Sequence, residues 1–480
     1  MVKRKALFAS SGAPQRGMQP LVLSLHCAVS SLDAIRLRTQ PLARDVFPDQ
    51  PLDPEVVVQV LKQELLLDGN SKQNLATFCQ TEESEQVRQL MELGVDRNLI
   101  DKDEYPQTAA IEQRCLRLLA DLWHAPGEVQ GCSTIGSSEA AMLGGLAAKW
   151  RWRQRRQAAG LPIDRPNLVC GSVQICWKKF ARYWDVELRE VEMAPGEWCL
   201  KPERMLEQVD ENTIAVVPTL GVTYHGFYED VAALAAALDG LQQRTGLDVP
   251  IHVDAASGGF VAPFCAPDLP PWDFRLPRVK SINASGHKFG LAPLGVGWVL
   301  WREPEDLPEE LIFHVSYLGG DMPTVQINFS RPAGQVLAQY HLFNSLGRQG
   351  YAAVHAACYA NAAAFAAGLA QLGLFELINA GDPACGIPVV VWRLPQGSQA
   401  PFNLYDLADR LRMRGWQVPA YPFTGSYSET PFQRILVKRD FTREMADLLL
   451  ADIEAAVAHF ERHPVSTSLS AMEAASYSHL

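Results

Sequence analysis

The sequence predicts an α/β protein: a mainly parallel central sheet in a large domain, followed by a smaller C-terminal α+β domain. Three observations carry this. Short apolar runs recur through the middle of the chain at residues 167–170, 214–218, 250–253, 279–282 and 295–301. They do not alternate with polar residues, which is how strands covered on both faces read. Helical patterns separate them. The chain has 480 residues, 48% hydrophobic and 20% charged, an ordinary globular composition with room for two to four domains.

Taken in order, Pro48, Pro51 and Pro54 punctuate a start that otherwise carries little pattern. Residues 55–67 read as an amphipathic helix closed by Asp68-Gly69. A second helix, 111–123, ends before Pro126-Gly127. Ser137 and Ser138 are expected to cap a helix reaching about Arg156. Helices at 174–183 and 229–243 alternate with the apolar runs. Residues 332–373 form one long helical pattern, open to interruption near Gly347 or Gly350. Beyond it, strands at 386–394 and 432–438 accompany helices at 404–414 and 444–463. The predicted divisions are an N-terminal segment 1–72, a large domain 73–358 and a small domain 359–480 with a flexible tail.

Composition narrows the function. With 43 Lys and Arg against 54 Asp and Glu, the net charge is −11, the wrong sign for a general nucleic-acid or anionic-membrane binder. Ten cysteines lie scattered without a Cys-x-x-Cys pair. No zinc ribbon, redox motif or other metal site is read, and reduced thiols in a cytoplasmic protein are expected. The apolar stretch 351–370 is Ala-rich and holds His355 and Asn361, so a packed helix is expected there rather than an integral membrane segment. Lys3-Arg4-Lys5 and the run 21–29, broken by His26, fall short of a signal peptide.

Three segments carry chemistry. Asp254 ends an apolar strand in Ile-His-Val-Asp-Ala-Ala-Ser-Gly-Gly, at the edge of an α/β sheet where ligands bind. Lys288 follows a second strand in Ser-Gly-His-Lys-Phe-Gly, where burial can turn an amine into a nucleophile. Gly136-Ser137-Ser138 opens a helix whose free N–H groups suit one phosphate, and no Walker lysine follows. Each has a plain alternative: a capped strand end, a solvated lysine, a bare helix cap. Together they are the parts of a pyridoxal phosphate (PLP) site. The basic helix end at Lys149, Arg151, Arg153, Arg155 and Arg156 reads as a solvated face, Trp150 and Trp152 as packing, and His124 as a helix-end residue.

The segments 252–260 and 285–293, with Asn-Leu-Ala-Thr-Phe-Cys-Gln-Thr at 74–81 and Leu-Gly-Val-Thr-Tyr at 220–224, closely resemble glutamate decarboxylases of the bacterial and plant type. Asp-Ala-Ala-Ser-Gly-Gly differs from the Asp-Ala-Ala-Trp-Gly-Gly of animal-type relatives. The resemblance spans residues 61–463. It implies a fold-type I PLP enzyme that converts L-glutamate to 4-aminobutanoate and carbon dioxide, with activation by acid.

Carried over by position, the resemblance makes Lys288 the Schiff-base lysine and Asp254 the partner of the ring nitrogen. Ala256 and Gln174 would cover the two ring faces, and Thr223 would be a polar contact near the ring. Ser137, Ser138, Ser285 and His287 would hold the phosphate, and Ser330 would reach that of a neighbouring subunit. Thr77, Phe78 and Asp101 match positions around the distal carboxylate, and Arg434 matches the arginine assigned to a substrate carboxylate. On pattern alone Arg434 reads as a surface residue of an edge strand. Tyr317, on a Tyr-Leu-Gly-Gly loop, would protonate Cα, and His479 would block the site near neutral pH.

Departures are Ser172 where the family has Pro, an extended N-terminus, and Asp321-Met322-Pro323 in place of Gln-Ile-Gly, where Pro323 would stiffen the loop. The implied partners are L-glutamate and further copies of the chain, in dimers built into a hexamer. The tail lacks the basic, Trp-containing sequence of plant relatives, so no calmodulin partner is expected. The competing readings are a decarboxylase of another amino acid, such as an aromatic one, a catalytically silent relative, and a PLP lyase or aminotransferase.

Overall fold

The computed structural model describes residues 41–474 except Val129 and Leu318. By internal contacts the chain divides at Asn70 into two units. In the first, the helix Pro54–Leu65 begins where Asp53 accepts the N–H of Glu55 at 2.9 Å, with proline at its first position.

The second unit is built on a seven-stranded sheet. Its strands are β1 (Gln130–Thr134), β2 (Asn167–Cys170), β3 (Glu187–Glu190), β4 (Thr213–Val217), β5 (Ile251–Asp254), β6 (Val279–Ser285) and β7 (Gly297–Trp301), in the order β1-β7-β6-β5-β4-β2-β3. Only β7 runs against its neighbours. The five apolar runs are the five interior strands. The two edges went unread because their sequences, Gln-Gly-Cys-Ser-Thr and Glu-Leu-Arg-Glu, are polar. The charges of β3 discourage pairing with other chains.

A short hairpin of β8 (Phe313–Val315) and β9 (Met322–Thr324) follows. The C-terminal part is a four-stranded antiparallel sheet of β10 (Glu376–Ala380), β11 (Val389–Arg393), β12 (Ala420–Pro422) and β13 (Pro431–Leu436), in the order β10-β11-β13-β12. Again the two strands legible in the sequence are interior and the two edges are not.

Helices fall close to expectation. Ser137–Ala158 packs across the large sheet, and Ile175–Tyr183 begins at Gln174. The helix expected from 229 starts instead at Val231, because Asp230 caps it by accepting the N–H of Ala233 at 2.9 Å. That leaves Glu229 outside the helix and buried. The basic end of Ser137–Ala158 is less solvated than expected. Arg151 pairs with Asp306 at 2.6 Å, and the Arg156 guanidinium lies over the buried Trp152. His124 does sit at a helix end, its Nδ1 2.9 Å from Asp273.

Gly334–Gln371 is the one helix among the described residues long and apolar enough to cross a membrane by composition. Its buried side chains serve two cores. Val336, Ala338 and Leu342 join the core of the large sheet, and Phe365, Ala366 and Leu369 join that of the small one. Gly347 interrupts it with φ 59° and ψ −173°, a conformation nearly confined to glycine. A Cβ there would meet nothing within 4 Å, so substitution isolates the backbone term. Gly347→Ala is expected to cost about 1–3 kcal/mol in urea unfolding. Gly127→Ala, also in open space but without positive φ, is expected to be near neutral.

Candidate cofactor site

Asp254 is the last residue of β5 and Ser285 the last of β6, and Thr219 lies two residues beyond β4. These ends meet the start of the helix Ser137–Ala158 around a cavity of about 520 Å³. Such a crevice at strand C-termini is the usual ligand site of an open α/β sheet.

Lys288 stands just past β6 in a turn where its N–H donates to the Ser285 carbonyl at 3.3 Å. Gln80 straps this turn from outside. Its N–H donates to the His287 carbonyl at 3.0 Å, and its Nε2 to the Lys288 carbonyl at 2.9 Å. The Lys288 amine donates to Ser257 Oγ at 3.3 Å and lies 4.6 Å from the centre of the Phe78 ring. Burial holds its pKa below the ordinary lysine value, against the opposing pull of Asp254. A lysine in that state offers more free amine, the nucleophilic form.

Asp254 is buried but well supplied with donors. Its Oδ2 accepts from Trp177 Nε1 at 2.8 Å, and its Oδ1 from the Ala256 N–H and Asn283 Nδ2, both at 3.1 Å. Both carboxylate oxygens are thus met by N–H donors.

At the other end, Gly136 occupies the N-cap without a side-chain cap, and Ser137 and Ser138 fall in the first turn. The expected serine cap is therefore absent, and both serines line the cavity. Ser285 Oγ donates to Ser137 Oγ at 2.6 Å. His287 Nδ1 accepts the N–H groups of Gly295 and Val296 at 3.3 and 3.2 Å. Burial, with Lys288 beside it, pushes His287 down to about 4. The ring is then neutral, its proton on Nε2. An uncapped helix start plus a neutral N–H donor suits a phosphate.

Gln174, Thr223 and Ala256 also line the cavity. Gln174 spends its Oε1 on the Cys176 N–H at 2.6 Å, as a helix cap. The Phe78 ring lies near both basic groups, 4.6 Å from the Lys288 amine and 4.8 Å from the Arg434 guanidinium. Arg434 is no edge residue: β13 is an interior strand, and the side chain is 7% exposed. It donates to the carbonyls of Thr223 and of Ala76, while its buried Nε has no partner. Thr77 Oγ1 accepts the Cys79 N–H at 3.3 Å, bending the strap that carries Phe78.

Asp101, Tyr317 and Ser330 do not line this cavity. They belong to a neighbouring surface where Asn98 Nδ2 donates to Ser330 Oγ at 3.3 Å and Lys102 to the Pro323 carbonyl at 2.8 Å. Tyr317 is 77% exposed and stacks near Phe329. His479 lies outside the described residues.

Trp177, Asn283, Gln80 and Thr219 were not singled out in the sequence. Only the strand period, which sets Ser281 and Asn283 on one face, hinted at Asn283. Thr219 carries a buried Oγ1 with no partner at the cavity wall. An orphaned hydroxyl, an amine, a three-donor carboxylate and a phosphate cradle around one cavity fit PLP.

The chain matches the pyridoxal-dependent decarboxylase conserved domain over residues 49–395. The chain belongs to this family. Its cofactor is pyridoxal phosphate. It is 55% identical to a glutamate decarboxylase of Aliivibrio fischeri over 435 residues, covering 90% of this chain and 93% of that protein. A glutamate decarboxylase beta of Listeria monocytogenes is 48% identical, over 85% of this chain and 88% of its own. Among solved structures, a Lactobacillus brevis glutamate decarboxylase superposes with a TM-score of 0.85 at 44% identity, covering 88% of this chain and 97% of that one.

The buried histidines of this decarboxylase set its response to acid. Burial pushes His225 down to about 3, and His287 and His355 to about 4. Unfolded imidazoles titrate near 6.5. As pH falls below that value the unfolded chain takes up protons that the folded chain refuses, so stability is lost. Each group removes about 1.4 kcal/mol per pH unit until its folded pKa is reached. Glu229, pushed up to about 7 by burial, works the other way between 7 and 4.5 and offsets one of the three. Urea midpoints of the cofactor-free protein are expected to drop from pH 7 to pH 5, and His355→Leu to flatten the drop.

Proposed function

We propose that this decarboxylase acts on L-glutamate, releasing carbon dioxide and 4-aminobutanoate. The observation that carries the substrate class is Arg434. A buried guanidinium with an unpartnered Nε, one aromatic ring away from the reactive amine, calls for an anion. Thr77, Phe78 and Asp101 would surround a second carboxylate, with Thr77 and Asp101 as its polar neighbours. The naming of the two bacterial relatives as glutamate decarboxylases supports the same reading.

The residues divide the work. Lys288 would hold the cofactor through its amine. Bound there, PLP supplies a sink for the electron pair left when carbon dioxide departs. Asp254, held by three N–H donors, would face the ring nitrogen and keep a proton on it. His287, Ser137, Ser138 and Ser285 hold the phosphate, while Ala256 and Gln174 bracket the ring and Thr223 lies near it.

Tyr317 returns the proton to the substrate's Cα. Tyr317 and Ser330 do not line their own chain's cavity, and the resemblance assigns both to a neighbouring copy, so the working unit in this reading is at least a homodimer. Decarboxylation consumes a proton, and Asp101 beside the distal carboxylate binds it best with a proton between them, so acid favours turnover. The gate assigned to His479 rests on the resemblance alone. All nine cysteines among the described residues are free, which supports a cytoplasmic location.

Carbon dioxide release from a panel of amino acids, with PLP supplied, tests the substrate. Glutamate is expected to be turned over and aromatic amino acids not, faster at pH 5 than at pH 7. Arg434→Gln is expected to lower kcat/KM by roughly 100-fold, the loss of about 2–3 kcal/mol from a charged hydrogen bond, with cofactor absorbance unchanged. Equal turnover of an aromatic amino acid would remove the assignment.

A further inference from the structure

We propose that Ser281, His252 and Asn283 form a one-directional hydrogen-bond chain that holds the Asp254 carboxylate aimed at the cofactor ring, as positioning residues. This rests on the reading of Asp254 as the partner of the ring nitrogen.

The chain follows from strand register. β5 and β6 are parallel neighbours in which His252 pairs with Ser281 and Asp254 with Asn283. Side chains two apart share a face, so all four stand on one side of the sheet. Ser281 Oγ is 2.6 Å from His252 Nδ1, His252 Nε2 is 2.7 Å from Asn283 Oδ1, and Asn283 Nδ2 is 3.1 Å from Asp254 Oδ1. None of the four is more than 4% exposed.

The charge decides the direction. An ionised carboxylate only accepts, so Asn283 must turn its amide NH₂ toward Asp254. Its carbonyl then faces His252, whose Nε2 must carry the proton. Nδ1 is left as an acceptor, and Ser281 must donate to it. Burial holds His252 below its ordinary pKa, so the ring stays neutral and keeps one donor and one acceptor. A reversed chain would set the Asn283 carbonyl against the carboxylate. The charge and the chain therefore stabilise each other.

Two further contacts lock the assembly. Trp177 donates to the other oxygen of Asp254 and packs edge-on against the His252 ring, centroids 5.2 Å apart. The helix Ser137–Ala158 also presents Gly144 to the ring, where a Cβ would lie 2.2 Å from His252 Cε1. Glycine inside a helix costs about 1 kcal/mol relative to alanine. Here that cost leaves room for the imidazole.

The test loads wild type, Asn283→Leu, His252→Leu, Gly144→Ala and Asp254→Asn with PLP carrying nitrogen-15 in its ring. The ring-nitrogen shift is followed from pH 5 to pH 8, with the phosphorus signal as a control for the phosphate end. Wild type is expected to keep the ring nitrogen protonated throughout. Asn283→Leu and His252→Leu are expected to lower its apparent pKa by at least one unit, a tenfold weaker hold, with the phosphorus signal unmoved. Gly144→Ala is expected to act in the same direction without altering any group of the chain, and decides the matter if the first two do not fold. A ring nitrogen that loses its proton in Asp254→Asn but behaves as wild type in the folded chain variants would overturn the inference. One that keeps its proton in Asp254→Asn would instead overturn the reading of Asp254 itself.

Discussion

The alignment of β5 with β6 is the constraint on which the site depends. Both strands run the same way, are covered on both faces, and end at the same edge of the sheet, so Asp254 and the turn bearing Lys288 arrive together. A slip of one residue in either strand would turn that strand's pair, His252 and Asp254 or Ser281 and Asn283, to the other face. That slip is opposed by the buried side chains on the far face, Val253, Ile282 and Ala284, which would have to exchange places with charge and amide. The chemistry is thus held in register by the core.

Within that frame, burial works differently on each titratable group, and neighbours decide the outcome. For Lys288 desolvation prevails, and the amine is freed. For His287 desolvation and the adjacent lysine act together, and the imidazole is neutral at any pH well above 4. For Asp254 three N–H donors answer the burial. Removing a single donor would leave a buried carboxylate under-satisfied, which costs more than the hydrogen bond returns when made.

Legibility in the sequence followed burial. Interior strands announced themselves as apolar runs in both sheets. The edges β1, β3, β10 and β12 did not, because solvent lets an edge carry any polar residue. The same blind spot misread Arg434: with β12 invisible as Ala-Tyr-Pro, β13 looked like an edge and its arginine like a surface charge. Lys288 and Asp254 were legible because strand-end position gives an ionisable residue meaning. Ser137 and Ser138 were placed one step wrongly, since Gly136 takes the cap. Trp177, Gln80 and Thr219 act through contacts made only after folding, across 77 residues for Trp177 with Asp254 and 208 for Gln80 with Lys288, and no local pattern encodes them.

The central claim is that this strand edge anchors PLP through one amine, that of Lys288. Borohydride reduction of the cofactor-loaded protein, followed by peptide mapping, tests it most directly. The account predicts one pyridoxyl-labelled peptide, carrying Ser-Gly-His-Lys-Phe-Gly with the label on Lys288, and no labelled peptide from Lys288→Ala. A label on any other lysine, Lys438 included, would contradict it.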